Sequence, residues 1–443
     1  MGIFKANDIR GVFPEELDKE RIRRIGFYLP GILKSDRILV GRDTRNSSDE
    51  VFELLARGIT EAGAQVVDIG VCDSPAVYFA TVKYRFTGSV MITASHNPPE
   101  YNGLKISAGS AVPVGPDNGL RELERLIAVK PVVSEPEADI IFLDIRNDYT
   151  EHVRSFLKET NRLKVVIDCG NGASSIFVHD IFDDFFPGVT ILFDTPDGEF
   201  PGHGPNPLEP ESWVHIAETI QKENADLGIL FDGDADRAIF FDEQGSFISP
   251  DIITALIGRY YYESKKSKKK MFYDIRSSRS IHEYITALGG TAAACVTGHA
   301  RIKKLLKSEN GIYAGELSGH YYFSENFYCD SGFIAAAIVS DVVDRMKTPL
   351  SQIVRDINPY SFSGERNFTV RNTTVVLQKV KLQYPDGEIN EIDGIRIDYK
   401  DWWFNLRPSG AEPLLRLVVE AATPAEMNQK VEELSDLIYS VDA

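Results

Sequence analysis

The chain lacks a basic surplus: Lys and Arg total 48 against 66 Asp and Glu, a formal net charge of −18 over 443 residues. A nucleic-acid binder shows a basic footprint, and the one basic run here, Lys265–Lys270, reads as a solvated turn. Cysteine is equally scarce. Cys72, Cys169, Cys295 and Cys329 are scattered and form no CxxC pair, so they read as small buried hydrophobes in a reducing cytosol. No run approaches the ~20 apolar residues of a membrane helix; the longest, such as Ser89–Ala94 and Leu227–Phe231, have strand length. Met1–Gly11 carries Lys5, Asp8 and Arg10 and no apolar core, so no signal peptide is expected. The expectation is a cytoplasmic protein, monomer or homodimer, with no nucleic-acid or membrane partner.

What is present is ordinary globular composition, 43% hydrophobic and 26% charged. A chain of this length holds two to four domains at roughly 100–200 residues each. An acidic protein repels phosphorylated metabolites at long range, so a site for one must concentrate cations locally.

A rhythm of short apolar strand, Gly- or Asp-bearing loop and amphipathic helix recurs. Arg37–Val40, Gln65–Ile69 and Ser89–Thr93 read as strands. Asp49–Ala62 reads as a helix with Phe52, Leu55 and Ile59 at helical spacing and Ser48 as N-cap. The pattern restarts at Leu163–Asp168 and at Lys270–Tyr273. Strand–helix alternation predicts α/β domains with largely parallel sheets. In the last ~80 residues, Asn367–Leu382 and Gly394–Tyr399 alternate like antiparallel strands, and Pro424–Tyr439 reads as a closing helix capped by Thr423. The fold class is therefore α/β: three related α/β domains with mixed sheets plus a C-terminal α+β domain. The assigned bounds are 1–148, 149–248, 249–361 and 362–443.

Four loops carry chemistry. In Thr93-Ala94-Ser95-His96-Asn97-Pro98 a strand ends and prolines hold a serine hydroxyl out of helix geometry, at the sheet edge where α/β ligand sites gather. A plain strand-to-turn exit would read similarly. In Asp232-Gly233-Asp234-Ala235-Asp236-Arg237 three carboxylates at i, i+2 and i+4 can point one way from an extended backbone. Unpaired they repel, and hard oxygen ligands suit Mg²⁺ or Ca²⁺. Arg237 stands where an EF-hand needs Gly, and the flanks read as strands, so an EF-hand is not expected. In Gly315-Glu316-Leu317-Ser318-Gly319-His320, Glu316, Ser318 and His320 could bond a polyol. In Arg407-Pro408-Ser409-Gly410-Ala411-Glu412-Pro413 an arginine fork, a hydroxyl and a glycine could cradle phosphate. Arg10, Arg42, Arg45, Lys105, Arg237, Arg276, Arg279, His299, Arg301, Lys303 and Arg407 sit in or beside loops and could line one basic cleft.

Taken together and in order, these loops resemble the α-D-phosphohexomutase superfamily, its phosphomannomutase/phosphoglucomutase branch, from Asp8-Ile9-Arg10-Gly11 to the Arg407 loop. The resemblance implies four domains around a central cleft and reversible conversion of hexose 1-phosphate to hexose 6-phosphate through a hexose 1,6-bisphosphate. It implies Ser95 as the phosphoserine, and Asp232, Asp234 and Asp236 as Mg²⁺ ligands with the serine phosphate. Glu316, Ser318 and His320 become the sugar-hydroxyl loop, and Arg407, Ser409 and Gly410 the distal phosphate site. Lys105 and Arg10 match active-site positions, with His96 and Arg237 beside them. Thr297–Lys303, holding His299 and Lys303, resembles the loop that reads sugar orientation, and Arg276 and Arg279 are assigned to substrate binding. Two positions depart from the pattern: Ala411 replaces a usual threonine, and Asn7 a common aromatic. Phosphoglucosamine mutase is an alternative, though Leu317 fits the mannose/glucose branch better. A magnesium phosphatase and a non-catalytic sugar-phosphate sensor are further alternatives.

Overall fold

The computed structural model describes residues 2–5, 8–129, 138–158, 161–409 and 414–442. They form four sheets in chain order. The first has seven strands, ordered Ile9–Val12, Tyr101–Ala108, Gly88–Ile92, Arg37–Arg42, Gln65–Val71 and Ile140–Phe142, with Val112–Pro113 paired to Tyr101–Ala108. Its middle strands run parallel, and Tyr101–Ala108 runs antiparallel to Gly88–Ile92. The central strand Gly88–Ile92 is buried at every residue, as expected where helices cover both faces of a sheet.

The second and third sheets, of five strands each, repeat this plan. Leu227–Phe231 lies parallel to Lys164–Asp168 and antiparallel to Ala238–Phe241. Tyr313–Gly315 lies parallel to Met271–Asp274 and antiparallel to Tyr321–Phe323. The serine, aspartate and glutamate loops thus occupy one topological position in three successive units: the connection from a parallel strand into its antiparallel partner. Arg407 and Pro408, read from the sequence as the start of a loop, instead end the strand Trp402–Pro408 of the fourth sheet, a six-stranded antiparallel one, because they pair with Arg416 and Leu415. Mixed sheets in three units and a C-terminal unit with its own fold agree with the predicted class.

One apolar core runs through the second and third units into the first, from Met91 through Phe240 to Phe333. Burying a side chain such as Phe240 contributes about 1.5–3 kcal/mol. The fourth unit closes on its own core around Trp402, Phe404 and Leu434. It meets the third through polar bonds. Arg279 donates to the carbonyls of Tyr399, Lys400 and Trp402, and Arg396 donates to those of Ile275 and Ser277.

Two local expectations need correction. Thr373–Gln383 is a helix rather than strand. Its buried valines, Val376 and Val380, are four apart, and Asn372 caps it by accepting from Val375 N at 3.1 Å. Helical spacing against a core outweighs the β preference of its branched residues. Ser48 does not cap the helix Ser48–Glu61; it is the first helical residue, and its Oγ donates to Asp43. The closing helix runs Pro424–Asp442, and Thr423 Oγ1 accepts from Glu426 N.

Candidate active site

A cavity of about 790 Å³ opens between the four units. The first unit contributes Arg10, Ser95 and Lys105, and the second Asp236 and Arg237. The third gives His299, Glu316, Ser318 and His320, and the fourth Arg407 and Ser409. Gly410 and Ala411, like Asn7, fall outside the described residues.

The first two units meet at backbone distance. A Cβ on Gly233 would lie 2.5 Å from Ser95 O, so a glycine is required there. Ser95 Oγ donates to Asp232 Oδ2 at 3.1 Å and lies 3.2 Å from His96 Nδ1. Ser74 N donates to Asp234 O at 3.0 Å, and Ser74 Oγ to Asp234 Oδ2. The second and third units meet through a β-bridge between Arg237 and His320, and Ala238 N donates to Gly319 O.

Asp232, Asp234 and Asp236 are all buried, with one oxygen of each within 4.8 Å of the others. Burial first, then the neighbouring carboxylates, pushes Asp232 far above the usual carboxylate range. Burial would also raise Asp236, but Lys105 and His320 hold it well below that range. Lys105 Nζ lies 2.6 Å from Asp234 Oδ2 and 2.5 Å from Asp236 Oδ2. Burial would lower the lysine, and these two carboxylates instead hold it firmly protonated. Asp234 Oδ1 and Asp236 Oδ1 are buried with no hydrogen-bond partner among the described residues. Three convergent carboxylates, two of them with an oxygen that accepts no hydrogen bond, fit a hard divalent cation.

Two imidazoles of the site are neutral. His96 is held well below its ordinary value by Arg237, burial and Arg10. His299 is pushed down to about 3, chiefly by burial and by Lys303. Glu316 accepts from Gly298 N at 2.8 Å and from Tyr322 OH at 2.6 Å, so its carboxylate is fixed at the cavity wall. His320 bonds Ser318 through Nδ1 at 2.8 Å, and its Nε2 lies 3.3 Å from both Arg237 Nε and Asp236 Oδ1.

Arg416, which the sequence reading missed, lines the cavity opposite Arg407 on the paired strand. Both bond Glu365, and Arg276 Nη1 lies 3.5 Å from the same carboxylate. The Nε atoms of Arg407 and Arg416 are buried without a hydrogen-bond partner among the described residues. The strand register, which only the hairpin pairing reveals, is the signal that would have found Arg416.

Several predicted cations lie elsewhere. Arg276 forks onto Asp274, its Nε at 2.9 and 3.1 Å from the two oxygens. Arg279 is committed to the fourth unit's carbonyls. Lys303 is buried 3.1 Å from Asp330 and over the Tyr78 ring. Arg42 pairs with Asp49 and Asp68. Arg45 is buried beneath the serine loop. None of these five lines the cavity, because carboxylates or main-chain oxygens outside it hold each charge.

Comparison with known proteins gives a consistent picture. Family models described as phosphoglucomutase/phosphomannomutase match the whole arrangement: alpha/beta/alpha domain I at residues 1–130, II at 147–245, III at 249–360 and the C-terminal domain at 365–437. A phosphomannomutase from Methanocaldococcus jannaschii is 36% identical, over 100% of this chain and 98% of its own length. One from Escherichia coli is 36% identical over 98% of each. Among solved structures, a phosphoglucomutase/phosphomannomutase family protein from Burkholderia thailandensis superposes with a TM-score of 0.91 at 28% identity, covering 99% of this chain and 97% of that one. The open form of a phosphoglucomutase from Paramecium shares the fold, with a TM-score of 0.78 at 15% identity over 99% and 95% of the two chains. Among the described residues no helix is long and apolar enough to cross a membrane.

Proposed function

Because the chain belongs to the phosphoglucomutase/phosphomannomutase family and is a phosphohexomutase, we propose that it interconverts the 1- and 6-phosphates of mannose or glucose through phosphorylated Ser95. The observation that carries this reading is the meeting of Ser95 with Asp232 beside a cavity that Ser95 lines together with Arg407 and Arg416.

Phosphoryl transfer demands in-line placement and neutralisation of spreading negative charge. Asp232, Asp234 and Asp236 would hold Mg²⁺ with the serine phosphate, where it supplies fixed positive charge beside the transferring group. Arg407, Arg416 and Ser409 grip the substrate's non-reacting phosphate. Charge-assisted bonds of this kind are worth about 1.5–3 kcal/mol each. Glu316, Ser318 and His320 bond the sugar hydroxyls, and His299, kept neutral, donates or accepts beside them. The Ser95 phosphate then passes to the free hydroxyl, which gives a hexose 1,6-bisphosphate. The proton of that hydroxyl ends on the Ser95 oxygen: Lys105, once Mg²⁺ would draw Asp234 and Asp236 away from it and so release its proton, would take it from the hydroxyl, while neutral His96 serves the serine oxygen. Arg237 and Arg10 steady the equatorial oxygens. The bisphosphate turns over and returns its other phosphate to Ser95, so the arginine wall must hold either end.

The test is intact-mass measurement after incubation with glucose 1,6-bisphosphate, beside turnover of mannose 1-phosphate. The wild type should gain one phosphate, and Ser95→Ala should gain none and lose at least about 1,000-fold in kcat. A Ser95→Ala enzyme that still turns over normally removes the serine from its role. Side-by-side kcat/KM for mannose and glucose 1-phosphates assigns the preferred sugar.

A further inference from the structure

The serine loop is strained and held from behind. Ser95 has φ +54°, a left-handed conformation that a non-glycine residue keeps only when its surroundings over-determine it. Its N–H donates to Thr93 Oγ1 at 2.8 Å. Its carbonyl accepts from Arg45 Nη2 at 2.7 Å.

Arg45 does far more than meet that one carbonyl. Nη2 also donates to Asn97 O at 2.6 Å, and Nη1 donates to Pro98 O at 2.6 Å and to Tyr101 O at 3.0 Å. Nε donates to Asp43 Oδ2 at 3.1 Å. A guanidinium has five N–H donors in a rigid fork, and here four bonds run to main-chain oxygens between Ser95 and Tyr101 while the fifth meets the counter-ion. The side chain is 0% exposed. Its charge is spent on Asp43 and these carbonyls, so it does not serve as a phosphate-binding cation.

The segment bearing Arg45 is also keyed to the second unit. The guanidinium lies 5.1 Å from the Phe200 ring centroid, Thr44 Oγ1 donates to Asn171 O, and Asn46 Nδ2 donates to Glu199. The same segment therefore fixes the serine loop and registers it against the unit that carries Asp232.

On the reading that Ser95 carries the phosphoryl group, we propose that Arg45 is a positioning residue for the transfer. It holds the loop so that Ser95 Oγ stays in bonding range of Asp232, and it touches neither substrate nor phosphate. Lysine at this position keeps the charge and up to three donors, but not the planar fork that reaches four carbonyls. Removing one member of a buried pair leaves the other charge uncompensated. The double variant Asp43→Asn with Arg45→Gln removes both charges, and it separates the clamp from the ion pair.

The experiment measures three quantities on wild type, Arg45→Lys and the double variant: the melt, the rate of Ser95 phosphorylation by glucose 1,6-bisphosphate from intact mass, and kcat and KM for mannose 1-phosphate. Displacing a reacting group by about an ångström can cost about 100-fold in rate. The expected result is a loss of that order in labelling rate and kcat for the double variant, a smaller loss for Arg45→Lys, cooperative melts, and KM near the wild-type value. Wild-type labelling by a folded double variant overturns the proposal, and so does a KM that rises in step with the loss of kcat. Failure of both variants to melt cooperatively assigns Arg45 to stability alone and overturns it too. Wild type that takes no phosphate on Ser95 removes the mutase reading and this inference together, whereas labelled wild type beside equally labelled variants sinks the inference alone.

Discussion

Ser95 Oγ donates to Asp232 Oδ2 across 3.1 Å, although 137 positions separate the two residues. The bond joins equivalent loops of two repeated units, each at the turn from a parallel strand into its antiparallel partner. Duplicated topology thus sets a hydroxyl beside a carboxylate cage without any local sequence relation between them.

Lys105 occupies that cage as its resident cation, which bears on metal removal. In EDTA, Lys105→Met leaves Asp234 and Asp236 facing each other, and breaking a buried pair costs about 3–5 kcal/mol. The variant should melt several degrees below wild type in EDTA, and Mg²⁺ should recover more of that loss than it adds to wild type. A melt indifferent to Mg²⁺ in both proteins refutes the metal site. Turnover by wild type should stop in EDTA and return with Mg²⁺.

Arg416 pairs across the hairpin with Arg407, and the Nε of each is buried without a hydrogen-bond partner among the described residues. Arg416→Ala should raise KM for mannose 1-phosphate by about 10- to 100-fold, the loss of one or two charge-assisted bonds. Labelling of Ser95 by saturating glucose 1,6-bisphosphate should persist. An unchanged KM removes Arg416 from phosphate binding.

Asp73 links the fold to pH. Its Oδ1 accepts from Ala76 N at 2.7 Å and Tyr149 OH at 2.9 Å, while Oδ2 is buried without a partner among the described residues. Burial first, and then Asp234 and Asp236, pushes its pKa up to about 8. The folded protein therefore keeps this proton where the unfolded chain, near the ordinary value of about 3.9, has lost it. The contribution of Asp73 to metal-free stability should fall as pH rises from about 4 to about 8. Asp73→Asn lacks this titration, so its melting temperature should exceed that of wild type by a margin that widens between pH 5 and 8, reaching at least about 2 °C. A constant difference across that range refutes the assignment.

Arg279 of the third unit anchors the fourth by donating to three of its carbonyls rather than to a ligand. Arg279→Ala should speed proteolysis around residues 359–364 and raise KM, because the arginine wall is less often seated, while each phosphate bond stays intact. Saturating sugar phosphate should slow the cleavage. Proteolysis at the wild-type rate argues against the anchor.

Much is legible in the chain itself. The strand-and-loop rhythm marks three α/β units, and the serine and aspartate loops stand at the strand exits where the sequence puts them, whereas Arg407, read as loop, lies within the strand Trp402–Pro408. The helix Thr373–Gln383 reads as strand because Thr373, Thr374, Val375 and Val376 form a run of β-branched residues, the composition a strand prefers. Val376 and Val380 face a core that only the folded fourth unit supplies. Arg10 and Arg45 look alike in sequence, each two residues after an aspartate. One faces the cavity and the other is sealed beneath Ser95.

The order of elements, the acidic triad and the placement of the serine in a proline-bound loop follow from local pattern, since propensity and spacing act over a few residues. Which cations face the cavity was decided only by tertiary structure. A guanidinium goes wherever enough acceptors converge to offset its desolvation, and the acceptors for Arg45, Arg279 and Arg396 include main-chain oxygens from segments 50 to 123 positions away. Backbone carbonyls are identical in every residue, so no side-chain motif could have announced them.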